Sequence, residues 1–212
     1  MYVAGSSWGV SSCDTQDKWA VNRAVLGIQK MLGWNGYPVT WSSAPGVFGP
    51  NTDEQAKAFQ AVYASPADGI VGPVTTRALL RKFVKQQESE NGIPDRILWG
   101  QIGAESSWDL GAVGYYTPKD VGICQVNTYY NASISPDELT DPLYVIPLSA
   151  RRLRTRFNEY RFLTSDVRVA WDAAILSHNS PVRARQYASS GVWPSEQARI
   201  YVENVRNAAK VA

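Results

Sequence analysis

Apolar side chains return at every third or fourth position over most of the chain, while the strict alternation that marks a half-buried strand is scarce. The pattern predicts an all-α protein. An opening helix over 19–32 sets Ala24, Val25, Ile28 and Leu32 on one face. Two more follow, over 51–63 with Ala56, Phe59 and Val62 inward, and over 73–84 with Ala78, Leu79 and Phe83 inward. Later segments predict helices over 94–105, 141–162, 167–177 and 194–209, with Pro147 expected to delay or kink the second of these.

Within that pattern lies an internal echo. GVFGPNT at 46–52 returns as GIVGPVT at 69–75, 23 residues on, and each copy leads into a helix. Glycine permits a tight turn, proline suits a first helical turn, and a nearby threonine hydroxyl is expected to cap free backbone amides. Two turn-helix units therefore join the opening helix in one small core. AVLGIQKML, GVFGPNTDEQAKAFQ and DGIVGPVTTRAL together resemble the three-helix peptidoglycan-binding module found in many wall hydrolases. One departure is Pro45, where the first repeat of that family usually carries an Asp before its Gly.

KQQESENGIP, polar and closed by Gly92 and Pro94, reads as a short linker or helix exchange point. The expected domains are 1–88, a wall-binding module with an N-terminal tail, and 89–212, a second helical domain.

The second domain holds the candidate chemistry. In IPDRILWGQIGAESSWD, a helix opened by Pro94 turns Ile97, Leu98, Ile102 and Ala104 inward and delivers Glu105 at its end, beside Trp108. A carboxyl group among apolar neighbours is favoured in its protonated form, which is what a general acid needs. By itself a Glu at a helix end is more often a solvated or capping carboxylate. The neighbouring segments change its weight: AESSWD followed by VGICQVN at 121–127 resembles the lytic transglycosylase and goose-type lysozyme superfamily, in which Glu-Ser precedes an aromatic and a Gly-hydrophobic-Met-Gln segment follows. AAILSHNSP at 173–181 is similar to the family's Ala-Tyr-Asn-Ala-Gly region, with Asn179 in the Asn position and His178 where Tyr is usual. ARIYVENV at 198–205 is similar to its late Tyr-Val motif and places Tyr201. DPLYVIPLSARRL resembles the intervening helix.

The resemblance implies a lysozyme-like catalytic domain that cuts the bond between N-acetylmuramic acid and N-acetylglucosamine, with Glu105 as proton donor. It implies that Gln125 orients that acid or binds an N-acetyl group, that Ser106 positions the acetamido carbonyl, and that Asn179 and Tyr201 contact sugar hydroxyls or hold Glu105. The alternative for Gln125 is a turn residue tying down its own backbone; for Asn179 and Tyr201 it is a buried network that supports the core. Goose-type lysozymes carry an Asp after the Gln-Val pair, and Asn127 stands there in this chain. That departure favours the transglycosylase reaction over hydrolysis, with Asp120 the remaining candidate for a second carboxylate. Asp109 reads as a cap or surface residue, His178 as a rim residue, and Cys124 as a packing residue in the family's Met position.

Composition narrows the rest. Apolar residues at 44% and charged residues at 19% describe a chain that folds. A net charge of +2 makes no case for nucleic acid, and Arg151, Arg152, Arg154 and Arg156 read as a solvated helix face around Leu153 and Phe157. Eight tryptophans and eleven tyrosines lean weakly toward carbohydrate. One histidine and two distant cysteines, Cys13 and Cys124, suggest no metal site, no cofactor and no disulfide framework. The N-terminal MYVAGSSWGVSSCDTQDKW lacks a basic start and a continuous apolar run, so neither a signal peptide nor a membrane span is expected. The expected setting is that of a monomeric bacteriophage endolysin, acting on bacterial peptidoglycan. It would be held in the host cytoplasm until the membrane is breached. The rival readings are a hydrolytic muramidase, a non-catalytic wall-binding protein, and an amidase or peptidase, the last disfavoured by the want of metal ligands or a nucleophile dyad.

Overall fold

A computed structural model describes residues 18–40, 45–114 and 120–211, with side chains from Arg23 onward. The N-terminal stretch read above for a leader, with Cys13, lies outside them. The protein is all-α: among the described residues there are nine helices and one two-stranded hairpin. Five helices open on a proline, whose missing N–H and fixed φ cost nothing in a first turn. They are α2 (Pro50–Tyr63), α3 (Pro73–Glu90), α5 (Pro136–Thr140), α6 (Pro142–Arg161) and α8 (Pro181–Ser190). The others are α1 (Lys18–Trp34), α4 (Ile97–Ser106), α7 (Val167–Asn179) and α9 (Glu196–Ala208). Strands β1 (Asp120–Val121) and β2 (Val126–Asn127) pair antiparallel, with Asp120 opposite Asn127.

The chain divides into two compact units. One comprises Met1–Phe83 and Glu105–Ile146, the other Val84–Ala104 and Pro147–Ala212. In the first, Ala24, Val25, Ile28 and Leu32 of α1 are buried as the periodicity predicts, and Ala56 and Phe59 of α2 and Leu79, Leu80 and Phe83 of α3 join them. Two inward assignments need correcting. Val62 is 64% exposed, because Thr52 and Gln60 fill the inward positions of α2, and Ala104 is exposed, because α4 buries Leu98, Trp99 and Ile102 instead.

Helix α4 also starts three residues later than predicted. Asp95 and Arg96 form a turn, closed by Ile97 N–H donating to Pro94 O at 3.2 Å, with Arg96 in the left-handed region (φ 68°). The polar segment 85–94 is no loose linker through its first half, since α3 runs on to Glu90 with Gln87 and Glu88 buried and stops at Gly92 (φ 60°). Helix α6 starts on time and keeps Pro147 inside it. Its Arg151, Arg152 and Arg156 are exposed around buried Leu153 and Phe157, as a solvated face would be, whereas Arg154 is half-buried, donates to Gly92 O at 3.0 Å and lies 5.1 Å from the Phe157 ring centroid.

In the second unit α7 packs against α8 and α9. Phe157 and Trp171 stack with ring centroids 4.0 Å apart, and Tyr187 and Trp193 at 3.8 Å. Trp99, Trp108 and Trp171 are core residues, each about 5–6% exposed, so they offer no face to a sugar.

Candidate functional site

The two repeat loops are built on one plan. A buried glutamine from the preceding helix reaches into each: Gln29 Oε1 accepts from Gly46 N–H at 3.0 Å, while its Nε2 donates to Val47 O at 2.9 Å and to Thr52 Oγ1 at 3.1 Å. Gln60 repeats the set with Gly69 at 2.8 Å, Ile70 at 3.0 Å and Thr75 at 3.1 Å. The threonine hydroxyls therefore receive the glutamine amide instead of capping the helix, and Gly49 is the N-cap of α2 without a side-chain bond. Phe48 and Val71 turn into the core while Val47 and Ile70 stay 44% and 50% exposed at matching positions. The loops differ where the sequences differ. Asp68 Oδ1 accepts from Ile70 N–H at 2.8 Å and from Gln60 Nε2 at 3.1 Å, bonds that Pro45 has no side-chain oxygen to make.

The segment from Glu105 belongs to the same unit. Glu105 is half-buried in the last turn of α4, followed by Ser106, which has no exposed surface in the described structure. Ser107 and Trp108 then take φ of 54° and 61°, two consecutive non-glycine residues in the left-handed region. That conformation stores strain of about 1–3 kcal/mol per residue, a cost that folded proteins tolerate mostly at functional sites. The reversal sends Trp108 into the core, with the Arg77 guanidinium 5.6 Å from its ring centroid. Asp109, read from the sequence as a cap or surface residue, is half-buried and its Oδ1 accepts from Gly111 N–H at 2.8 Å, fixing the turn.

The stretch that follows AESSWD meets the segment at 120–127 through its backbone. Val113 bridges Val121, Gly122 N–H donates to Ala112 O at 2.9 Å, and Gly114 N–H donates to Asp120 O at 2.7 Å. The loop between β1 and β2 ends at Gln125 (φ 45°), whose Nε2 donates to Gly122 O at 2.9 Å. Gln125 thus makes the turn-fixing contact that stood as the alternative to a substrate role. Cys124 is buried, a packing residue as expected. Asp120 is half-buried, and Asn127, its cross-strand neighbour, uses Oδ1 to accept from the N–H groups of Tyr129 at 3.0 Å and Tyr130 at 3.3 Å.

That turn presents a feature the sequence reading passed over. Tyr129 and Tyr130 are 70% and 82% exposed and meet edge to face at 5.2 Å. Adjacent aromatics just after a strand that ends in Asn were the available signal.

The second unit holds the remaining candidates. Asn179 closes α7 and is exposed beside exposed His178, and Tyr201 is half-buried on α9. The two helices are clamped by Asp172, 3% exposed, whose Oδ1 accepts from Arg206 Nε at 2.8 Å. Burial pushes the Asp172 carboxyl above its ordinary value, and the bond to Arg206 pulls it part of the way back. Among the described residues no group of three or more His, Cys, Asp and Glu side chains could hold a metal, and no helix is long and apolar enough to cross a membrane.

Residues 22–79 match the family model described as "Putative peptidoglycan binding domain", which spans α1, the two glutamine-locked loops and the start of α3. The chain thus carries a segment that matches a peptidoglycan-binding domain, and this match supports association with the cell wall. No curated protein matches the chain.

Proposed function

We propose that the chain is a peptidoglycan-cleaving glycosidase, most simply a lytic transglycosylase, with Glu105 as its acid. One observation carries this reading: the peptidoglycan-binding domain and the strained turn after Glu105 belong to one compact unit, so the polymer is bound by the body that bears the carboxyl group. Glu105 would protonate the glycosidic oxygen between N-acetylmuramic acid and N-acetylglucosamine as the bond to the anomeric carbon breaks. The carboxylate left behind would take the proton of the muramoyl C6 hydroxyl as that oxygen closes on the anomeric carbon, so one group serves both half-reactions and no cofactor is required. Asn179 and Tyr201 are proposed to contact sugar hydroxyls, and Gln125 to hold the hairpin turn.

Hydrolysis is the second reading. A water would replace the C6 hydroxyl and would need a carboxylate to position it. Asn127 is engaged by the backbone of Tyr129 and Tyr130, which leaves Asp120, directly across the ladder, for that role. The third reading, a wall-binding protein without catalysis, is separated from both by whether purified peptidoglycan is cut at all, and mass spectrometry of its digest decides among the three. The biological setting we propose is host lysis by a bacteriophage endolysin that reaches the wall after membrane permeabilisation.

A further inference from the structure

Helix α1 does more than complete a three-helix core. It packs against α5, and two of its cations reach carboxylates far along the chain. The Arg23 guanidinium pairs with Asp137 in the first turn of α5. Lys30 Nζ lies 2.5 Å from Asp141 Oδ2. The other oxygen of Asp141 accepts from Leu143 N–H at 3.0 Å, at the start of α6, so Lys30 grips the joint between α5 and α6. Between these pairs α1 presents bare backbone. A methyl group placed on Gly27 would lie 3.5 Å from Pro142 Cδ and 3.6 Å from Leu110 Cδ2, contact distance to the joint and to the segment that follows Glu105.

Helix α5 in turn fixes the hairpin. Gly122 adopts φ 71°, and a Cβ there would stand 2.2 Å from Leu139 O, so the loop that ends in Gln125 rests directly on the α5 backbone. Interiors this closely packed pass on displacement because there is no void to absorb it.

We infer that the peptidoglycan-binding domain is a positioning element for the candidate active site: Arg23 and Lys30 hold α5, and α5 holds the hairpin that carries Asp120 and Gln125. This goes beyond the usual service of a wall-binding module, which raises the local concentration of a catalytic cleft without touching it. The inference rests on the proposed glycosidase reading for its catalytic consequence, while its mechanical part stands on contacts within one unit.

The test uses the full chain with Lys30→Met, Arg23→Asp, and the charge-swapped pair Arg23→Asp with Asp137→Arg. Three quantities are read: amide hydrogen exchange across residues 120–127, kcat on soluble glycan fragments, and retention on insoluble peptidoglycan. Each single variant is expected to speed exchange in the hairpin and lower kcat by about two- to tenfold, while wall retention stays within roughly twofold of wild type. The charge swap is expected to restore both. Unchanged exchange in both single variants would overturn the inference. So would loss of wall retention in step with kcat, which would make the pairs mere supports of the binding domain. Faster exchange in the single variants, together with no turnover by the wild type, would sink the glycosidase reading and uphold the mechanical link. An active enzyme whose hairpin ignores both variants would do the reverse.

Discussion

The Glu88 carboxylate accepts the backbone N–H of Trp99 at 3.0 Å through one oxygen and that of Arg96 at 3.0 Å through the other. Helix α4, which ends with Glu105 and Ser106, therefore begins on a buried side chain lent by the end of α3. A negative group at a helix N-terminus satisfies amides that have no partner within the helix and complements the helix dipole.

That contact predicts both a loss and a pH dependence. Glu88→Ala should cost roughly 1–3 kcal/mol of stability. Burial, opposed by these backbone bonds, raises the Glu88 carboxyl above its ordinary value. The folded chain then holds this proton more tightly than the unfolded chain, so the group's contribution is full below the ordinary carboxylate pKa and is lost as pH rises through the raised folded value. Glu88→Gln lacks this dependence. The Tm advantage of wild type over Glu88→Gln should therefore shrink as pH rises above the ordinary carboxylate range, and an advantage that grew with pH would contradict the assignment.

The repeat loops predict an order of effects. Gln60→Ala removes the bonds to Gly69, Ile70 and Thr75 together and leaves buried groups unpaired, at a cost of about 2–4 kcal/mol. Asp68→Ala should cost under about 1.5 kcal/mol, because the first loop forms with Pro45 in the matching place. Urea unfolding of the two variants, with binding to purified walls measured alongside, checks the order; an Asp68 effect as large as that of Gln60 would show that the glutamine is not the lock.

Much of this architecture was legible in the sequence, and the misses have physical causes. Helices α1, α2 and α3 announced themselves by periodicity, but counting only apolar residues put Val62 inside and overlooked Gln60 and Thr52, polar side chains turned inward to bond the loops. Helix α5 spans five residues, too few for a periodicity, although Ser135 and Glu138 form a complete capping box. Helix α8 carries a faint stripe of Ala184, Tyr187 and Ala188; its real signals are Ser180 and Pro181 at the start and Gly191 (φ 69°) at the end. Two-residue strands show no alternation, so the hairpin was visible only through the motif it contains. The left-handed backbone at Ser107, Trp108 and Gln125 had no glycine to betray it.

A tethered-module view expects that removing residues up to about Glu88 weakens lysis of whole walls more than cleavage of soluble glycan. The contacts of α1 with α5, Leu110 and Pro142 predict instead that residues 89–212 alone lose both activities and their cooperative unfolding transition. Calorimetry of the truncated chain, with both substrates assayed, separates the views; a truncated chain that still cut soluble glycan at the wild-type rate would restore the tether.

Tyr129 and Tyr130 offer ring faces to solvent on a turn that Asn127 fixes. Replacing both by Ala should raise KM for soluble glycan by about 5- to 150-fold with a smaller change in kcat, since stacked aromatic contacts are worth about 0.5–1.5 kcal/mol each. Steady-state kinetics reads this directly, and an unaltered KM would exclude the pair from glycan binding.

The most direct test of the central claim is mass spectrometry of purified peptidoglycan digested by wild type and by Glu105→Gln. Muropeptides ending in 1,6-anhydromuramic acid, present with wild type and absent with the variant, are the predicted result. Equal cleavage by the two proteins, or none by wild type, would contradict the role given to Glu105.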